Sequence, residues 1–154
     1  MNKACYDAFA AIHDCPVPVI AACHGFVLGG GIGLVGSCDL IVSSDDASFG
    51  LPEIDRGALG AASHLMRMFP VQKVRKMLFT GEPISAQEAY RLGALEAVVT
   101  REELMPRARE IASSIAAKSP KAMRLAKESL NGIELLDVKR SYRFEQGFTL
   151  ELYT

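Results

Sequence analysis

Leu28-Gly29-Gly30-Gly31-Ile32-Gly33-Leu34-Val35-Gly36-Ser37 places five glycines within ten residues, between two apolar runs rich in β-branched residues. Those runs, Val17 to Cys23 and Leu40 to Ser44, are short and bounded by proline, glycine or polar residues, which predicts buried strands. His24-Gly25 predicts a turn, and residues 28–37 leave room for a glycine-rich loop and a short helix. The chain must therefore pass from strand to helix and back to strand within a few residues. Gly31-x-Gly33-x-x-Gly36 matches the dinucleotide fingerprint, with Glu53 at about the right distance downstream. Two spacings oppose that reading. The fingerprint glycine should leave the strand directly, yet His24 to Leu28 intervene. A Rossmann crossover also needs a helix of several turns, and only Ser37, Cys38 and Asp39 separate Gly36 from Leu40. A nucleotide-dependent oxidoreductase is disfavoured, and the lack of Gly-Lys-Ser/Thr excludes a P-loop. Two readings stay open. Glycines opening a helix leave backbone N–H groups unshielded, ready for an oxygen that gains negative charge. Glycines also simply permit a tight packing turn.

The rest of the chain is mostly helical in pattern. Ala4, Cys5, Ala8, Phe9 and Ile12 predict a helix over 2–14, ended by Pro16 and Pro18. Ser48-Phe49-Gly50 predicts a brief extended piece and Leu51 to Ala62 a loop. Helices are expected over Ala61 to Phe69 and Val71 to Phe79, divided by Pro70. Ser85 with Glu88 forms a capping box for a short helix ending at Gly93, followed by a strand over Leu95 to Val99. Thr100 with Glu103 forms another, opening a helix with Leu104, Ala108, Ile111, Ala112 and Ile115 on one face. Ser119 and Pro120 start the next helix, Gly132 stops it, and Leu135 to about Leu152 is the last helical stretch. This divides the chain into a mixed α/β part, 1–99, and a helical packing or assembly part, 100–154.

Composition narrows the function classes. Of 154 residues 49% are hydrophobic and 23% charged, as in ordinary folded domains. A net charge of −1 offers no basic excess for a nucleic acid. No apolar run approaches the ~20 residues of a membrane span, and the acidic, amphipathic Met1 to Cys15 is not a secretory signal. Cys5, Cys15, Cys23 and Cys38 form no Cys-x-x-Cys pair. Reduced thiols in a cytoplasmic protein are expected, not disulfides, and not a zinc site from Cys15, Cys23, His24 and Cys38, whose spacing fits no standard module.

PVPVIAACHGFVLGGGIGLVGSCDLIVSSDDASFGLPEIDRGALG, residues 16–60, resembles the signature of the crotonase (enoyl-CoA hydratase/isomerase) superfamily, and FTGEPISAQEAYRLGALEAVV, residues 79–99, resembles its characteristic following stretch. The resemblance implies an α/β fold with a ββα spiral core, incomplete here at its N-terminal end, and a C-terminal helical region. It implies an acyl-CoA thioester substrate, with coenzyme A as part of the substrate and no permanently bound cofactor or metal, and assembly as a homotrimer or homohexamer. Carried over by motif, Gly30 supplies one N–H to the thioester oxygen and Glu53 is a general acid/base in an apolar setting given by Leu51, Pro52 and Ile54. Val27, Leu28, Gly29, Gly31, Gly33, Leu51, Pro52, Leu59 and Gly60 are the implied substrate contacts.

Two departures matter. Typical hydratases carry a second glutamate where this chain has Gly33, which disfavours plain hydration. One carboxylate suffices for isomerisation or for cleavage of a β-dicarbonyl thioester, and Gly33 is expected to open room for a bulky or cyclic acyl group. The second departure is length. Family members usually carry the first oxyanion donor in a segment with no counterpart here, which leaves a non-catalytic CoA-binding or assembly module as the alternative. LPEIDRGALGAASHL (51–65) and SYRFEQGFTLEL (141–152) also resemble the actinobacterial branch that opens a ring during steroid degradation. There Asp55, Arg56 or His64 are possible helpers; otherwise they read as surface charge.

Overall fold

A computed structural model describes residues 2–152. Helix α1 (Asn2–His13) precedes strands β1 (Ile20–Cys23) and β2 (Phe26–Leu28), helix α2 (Gly30–Gly36), and strands β3 (Leu40–Ser44) and β4 (Ser48–Gly50). A 3-10 helix, Pro52–Arg56, leads to α3 (Ala62–Met68) and α4 (Val71–Thr80). Then follow β5 (Ile84–Ser85), α5 (Ala86–Arg91), β6 (Ala97–Val99), α6 (Leu104–Ala116), α7 (Pro120–Ile133) and α8 (Val138–Leu152).

The strands form two three-stranded sheets, ordered β1-β3-β6 and β2-β4-β5. Successive passes of the chain place one strand in each sheet: β1 then β2, and after α2, β3 then β4. β1 and β3 run parallel with Ile20 opposite Leu40, and β2 and β4 run parallel with Phe26 opposite Ser48. Gly25, at φ 59, makes the kink that carries the chain from the first sheet to the second. The second register positions the site. Leu28 lies opposite Gly50, so the glycine-rich turn and the Leu51-Pro52-Glu53 segment leave the same ends of neighbouring parallel strands.

The main core joins both sheets to α2, α3, α4 and α5 through Ile32, Phe49, Leu51, Leu65, Val74, Met77 and Ala86, all at most 1% exposed. A smaller cluster of Val42, Leu104 and Ala108 seats α6 on β1 and β3.

Several expectations need correction. β2 carries too few residues to show period-two alternation, so nothing in the pattern separates it from the loop before α2. The loop expected over 51–62 contains the 3-10 helix, closed by Gly57 at φ 65. In α1 the buried residues are Phe9 and His13, while Ala4 and Ala8 face solvent. Ser85 Oγ accepts from Glu88 N–H as a capping box requires, but the Glu88 carboxylate turns to Lys73 and Arg91. Glu103 accepts from the Thr100 N–H and hydroxyl, and the helix begins one residue later, at Leu104. Ala112 on that helix is exposed. Gly132 lies inside the last turn of α7, which runs to Ile133.

Candidate active site

Gly29 sits at the head of α2 with φ 53 and ψ −115, a conformation that strains any residue with a Cβ. Its N–H donates to Gly50 O at 3.2 Å, and Gly33 N–H closes the first helical bond onto Gly29 O at 3.2 Å. The N–H groups of Gly30, Gly31 and Ile32 therefore belong to the first turn, where no carbonyl of the same helix reaches them. Gly30 is exposed, with nothing within 4 Å of where a side chain would start.

Glu53 closes on this turn from the neighbouring strand. A Cβ on Gly29 would collide with Glu53 Oε1, so glycine here serves both the backbone angle and the approach of the carboxylate. On the other side a Cβ on Gly60 would come within 2.9 Å of Glu53 Cδ and Oε2 and of Leu51 Cδ2. Leu51 is fully buried beneath it. Glu53 Oε2 is itself buried and has no hydrogen-bond partner, which costs free energy unless a ligand or solvent group meets it. Among the sequence-predicted residues the fold thus brings Gly29, Gly30, Leu51, Glu53 and Gly60 together. Pro52 opens the 3-10 helix that aims Glu53, and Leu59 is half-buried in the same segment. Val27 is buried and packs against Gly31, Leu28 is half-buried, and Val27 and Gly31 also border an open groove of about 350 Å³ with His24 and Phe26.

Gly33 departs from expectation. A Cβ there would overlap the ring of Phe9 from α1, so the room left by the missing side chain is filled from within the chain. Phe9 forms an edge-packed aromatic trio with His64 (4.9 Å between centroids) and Tyr142 (5.3 Å). His64 is not surface charge: it is 2% exposed, and burial, with Arg67 and His13 nearby, pushes it down to about 4, so it is a neutral imidazole. Asp55 and Arg56 are exposed, with the Asp55 carboxylate lying against Gly81.

Sequence reasoning missed Glu145 of α8. Its carboxylate accepts from Ala62 N–H (2.9 Å), Ser63 N–H (3.3 Å) and Ser63 Oγ (3.3 Å), capping α3 from a distant helix. Burial, and more weakly the charge of Glu53, raise the Glu145 carboxyl above the usual range, against the pull of those donors. One signal was available: GALGAA, residues 57–62, offers no Ser, Thr, Asp or Asn at the position that caps α3, so an acceptor had to come from elsewhere.

The four cysteines are free; burial above all pushes Cys23 up to about 12 and Cys38 up to about 11, so neither is a thiolate at neutral pH. Among the described residues no cluster of three or more His, Cys, Asp or Glu is arranged to hold a metal, and no helix is long and apolar enough to cross a membrane.

The chain is 55% identical over 151 residues to the (7aS)-7a-methyl-1,5-dioxo-2,3,5,6,7,7a-hexahydro-1H-indene-carboxyl-CoA hydrolase of Rhodococcus jostii, covering 98% of this chain and 58% of that protein. It is 51% identical over 151 residues to the hydrolase of the same name from Mycobacterium tuberculosis, covering 98% of this chain and 61% of that one. The chain thus spans about three fifths of the length of these curated relatives. A carnitinyl-CoA hydratase from Mycobacterium avium superposes with a TM-score of 0.84 at 28% identity, over 94% of this chain and 57% of that one. The family model described as enoyl-CoA hydratase/isomerase matches residues 1–148, and on that match, with the crotonase-like fold and the paired strand ends that carry Gly29 and Glu53, the chain belongs to the enoyl-CoA hydratase/isomerase family.

Proposed function

We propose that this chain carries the Glu53 half of an acyl-CoA site that opens a cyclic β-ketoacyl-CoA by hydrolysis. The observation that carries the reading is the Glu53 carboxylate, one oxygen buried and unpartnered, pressed against the glycine turn that opens α2. Glu53 takes a proton from water, whose oxygen attacks the ring ketone β to the thioester. The bond between the ketone carbon and the α-carbon then breaks. Its electron pair passes into the thioester enolate, whose oxygen is met by the Gly30 N–H. Glu53 returns its proton to the α-carbon, leaving a carboxylic acid and a ring-opened CoA thioester. Coenzyme A enters as part of the substrate, and no other cofactor is needed.

Two features support hydrolysis over hydration. The position of the second hydratase glutamate is Gly33, covered by Phe9, so one carboxylate does the proton transfer. The 55% and 51% identical relatives are both named as hydrolases of a two-ring dioxo CoA thioester. We also propose that the helical part, 100–154, assembles copies into trimers or pairs of trimers. The exposed Leu125, Leu130 and Ile133 on α7 and Phe144 and Phe148 on α8 support this. The free cysteines fit a reducing, cytoplasmic setting.

The test is turnover of a cyclic β-ketoacyl-CoA and calorimetric binding of acetoacetyl-CoA by the parent, Glu53→Gln and Gly30→Pro. Glu53→Gln is expected to lower kcat by about 100-fold or more while still binding. Gly30→Pro removes the donor and is expected to lose binding. A Glu53→Gln variant that turns over at the parental rate refutes the role of Glu53. A parent that binds no CoA thioester points to a scaffold or assembly module.

A further inference from the structure

The segment that covers Glu53 is fixed at both ends by different parts of the chain. At its start Gly57 N–H and Ala58 N–H donate to the carbonyls of Ile54 and Glu53, at 3.1 and 3.0 Å. Gly60 then lies on the Glu53 carboxyl. At its end Ala62 and Ser63 begin α3, and the residue in the capping position, Ala61, has no side-chain acceptor for them. The acceptor is Glu145, 9% exposed, 83 residues away from Ala62 along the chain. Ser63 completes the arrangement: its hydroxyl donates to Glu145 Oε2, so its contact with His64 Nδ1 at 3.3 Å has the imidazole as donor. Phe9, His64 and Tyr142 pack edge to face beside Ser63, and Phe9 and His64 abut α2, the helix headed by the oxyanion glycines, at Gly33 and Gly36.

We propose that Glu145 is a positioning residue for Glu53: by capping α3 it anchors residues 57–63, which hold the Glu53 carboxyl against the glycine turn. This rests on the reading of Glu53 as the proton-transfer group. With Glu145 removed, Ala62 and Ser63 N–H lose their partner and the tether at one end of the covering segment is lost. Gly57 and Gly60 then give that segment wide conformational freedom. Glu145 does not touch the reacting atoms, so the consequence falls on kcat, through misplacement of Glu53, and not on the hold over the CoA thioester.

The experiment compares the parent with Glu145→Ala, Glu145→Gln and Ser63→Ala by two measurements. The first is amide hydrogen exchange of the substrate-free protein. Glu145→Ala is expected to speed exchange across 57–63 about tenfold, with α7 unchanged, and Glu145→Gln, which keeps one acceptor oxygen, to fall between it and the parent. The second is kcat and KM on the cyclic β-ketoacyl-CoA, where kcat is expected to fall about tenfold or more in the same order with KM within about twofold. Unchanged exchange in Glu145→Ala, or faster exchange with kcat intact, overturns the proposal. If Glu145→Ala does not fold, Glu145→Gln and Ser63→Ala give the same ordering. Glu53→Gln separates the two ideas. Full turnover in that variant defeats the role assigned to Glu53, while the exchange measurement still decides whether Glu145 anchors the segment.

Discussion

His64 shows how a residue's meaning depends on what the fold puts around it. In the sequence it is one of three polar residues near a loop, and only Asp55 and Arg56 turn out to be the surface groups that such a position predicts. Buried between Phe9 and Tyr142, His64 stays neutral down to a pH of about 4. In the unfolded chain it takes up a proton near 6.5, so between about 6.5 and 4 the unfolded state binds more protons and stability falls as pH falls. At ~1.4 kcal/mol per pH unit the loss across that window is on the order of 3 kcal/mol. Denaturant unfolding at pH 7 and pH 5 is expected to show a steeper decline in the parent than in His64→Phe, which keeps the ring and removes the titration. Equal slopes would refute this. The meeting of the glycine-rich turn with Glu53 was legible at this scale because both lie in one contiguous motif. Glu145 was not, because its partners Ala62 and Ser63 are 83 and 82 residues away and nothing in the local pattern of α8 points to them.

Between elements, the packing of α1 on α2 depends on one large and one absent side chain. Phe9 lies where a Cβ of Gly33 would stand. Gly33→Ala is expected to destabilise the protein by about 1–3 kcal/mol through overpacking, offset in part by ~1 kcal/mol of helix propensity. Phe9→Ala alone leaves a cavity and is expected to cost about 3–5 kcal/mol. The double variant is expected to cost less than the sum of the two by about 1–2 kcal/mol, since each change relieves the other. Additive costs in a double-mutant cycle would show that the two positions do not share this space. The elements themselves were mostly readable. Pro16 and Pro18, the Ser119-Pro120 start and the β-branched runs mark their boundaries with strong local preferences. Failures cluster where length defeats pattern. β2 has three residues, the 3-10 helix five, and Gly132 alone did not end a helix whose neighbours continued it.

Across the molecule, polar bonds tie α7 and its C-terminal end to Asp39, just before β3, and to α3. Lys127 of α7, 5% exposed, meets Asp39 at 2.5 Å, and Asp39 also accepts from Val19 N–H at 2.7 Å, just before β1. Arg67 of α3 joins Glu134 at 2.6 Å and caps the end of α2 through the carbonyls of Gly36 and Cys38. Helices α7 and α8 leave large apolar side chains outward: Leu130 is 62% exposed, Ile133 69% and Phe144 73%. If these faces assemble copies, light scattering gives the mass of a trimer or hexamer for the parent. Leu130→Asp with Ile133→Asp then lowers the mass towards one chain without loss of helical signal, and a monomeric parent would refute the assembly. The bond between Glu145 and the head of α3 also sets an order of events during synthesis. Ala62 and Ser63 leave the ribosome 83 and 82 residues ahead of their acceptor, an interval of roughly 4 to 17 seconds at ~5–20 residues per second. Through that interval the nascent chain already holds its glycine turn and Glu53, while the head of α3 still lacks its acceptor. The cap on α3 therefore closes only once α8 has been translated, and a ribosome that stalls before residue 145 releases a chain that carries the glycine turn and Glu53 without that cap.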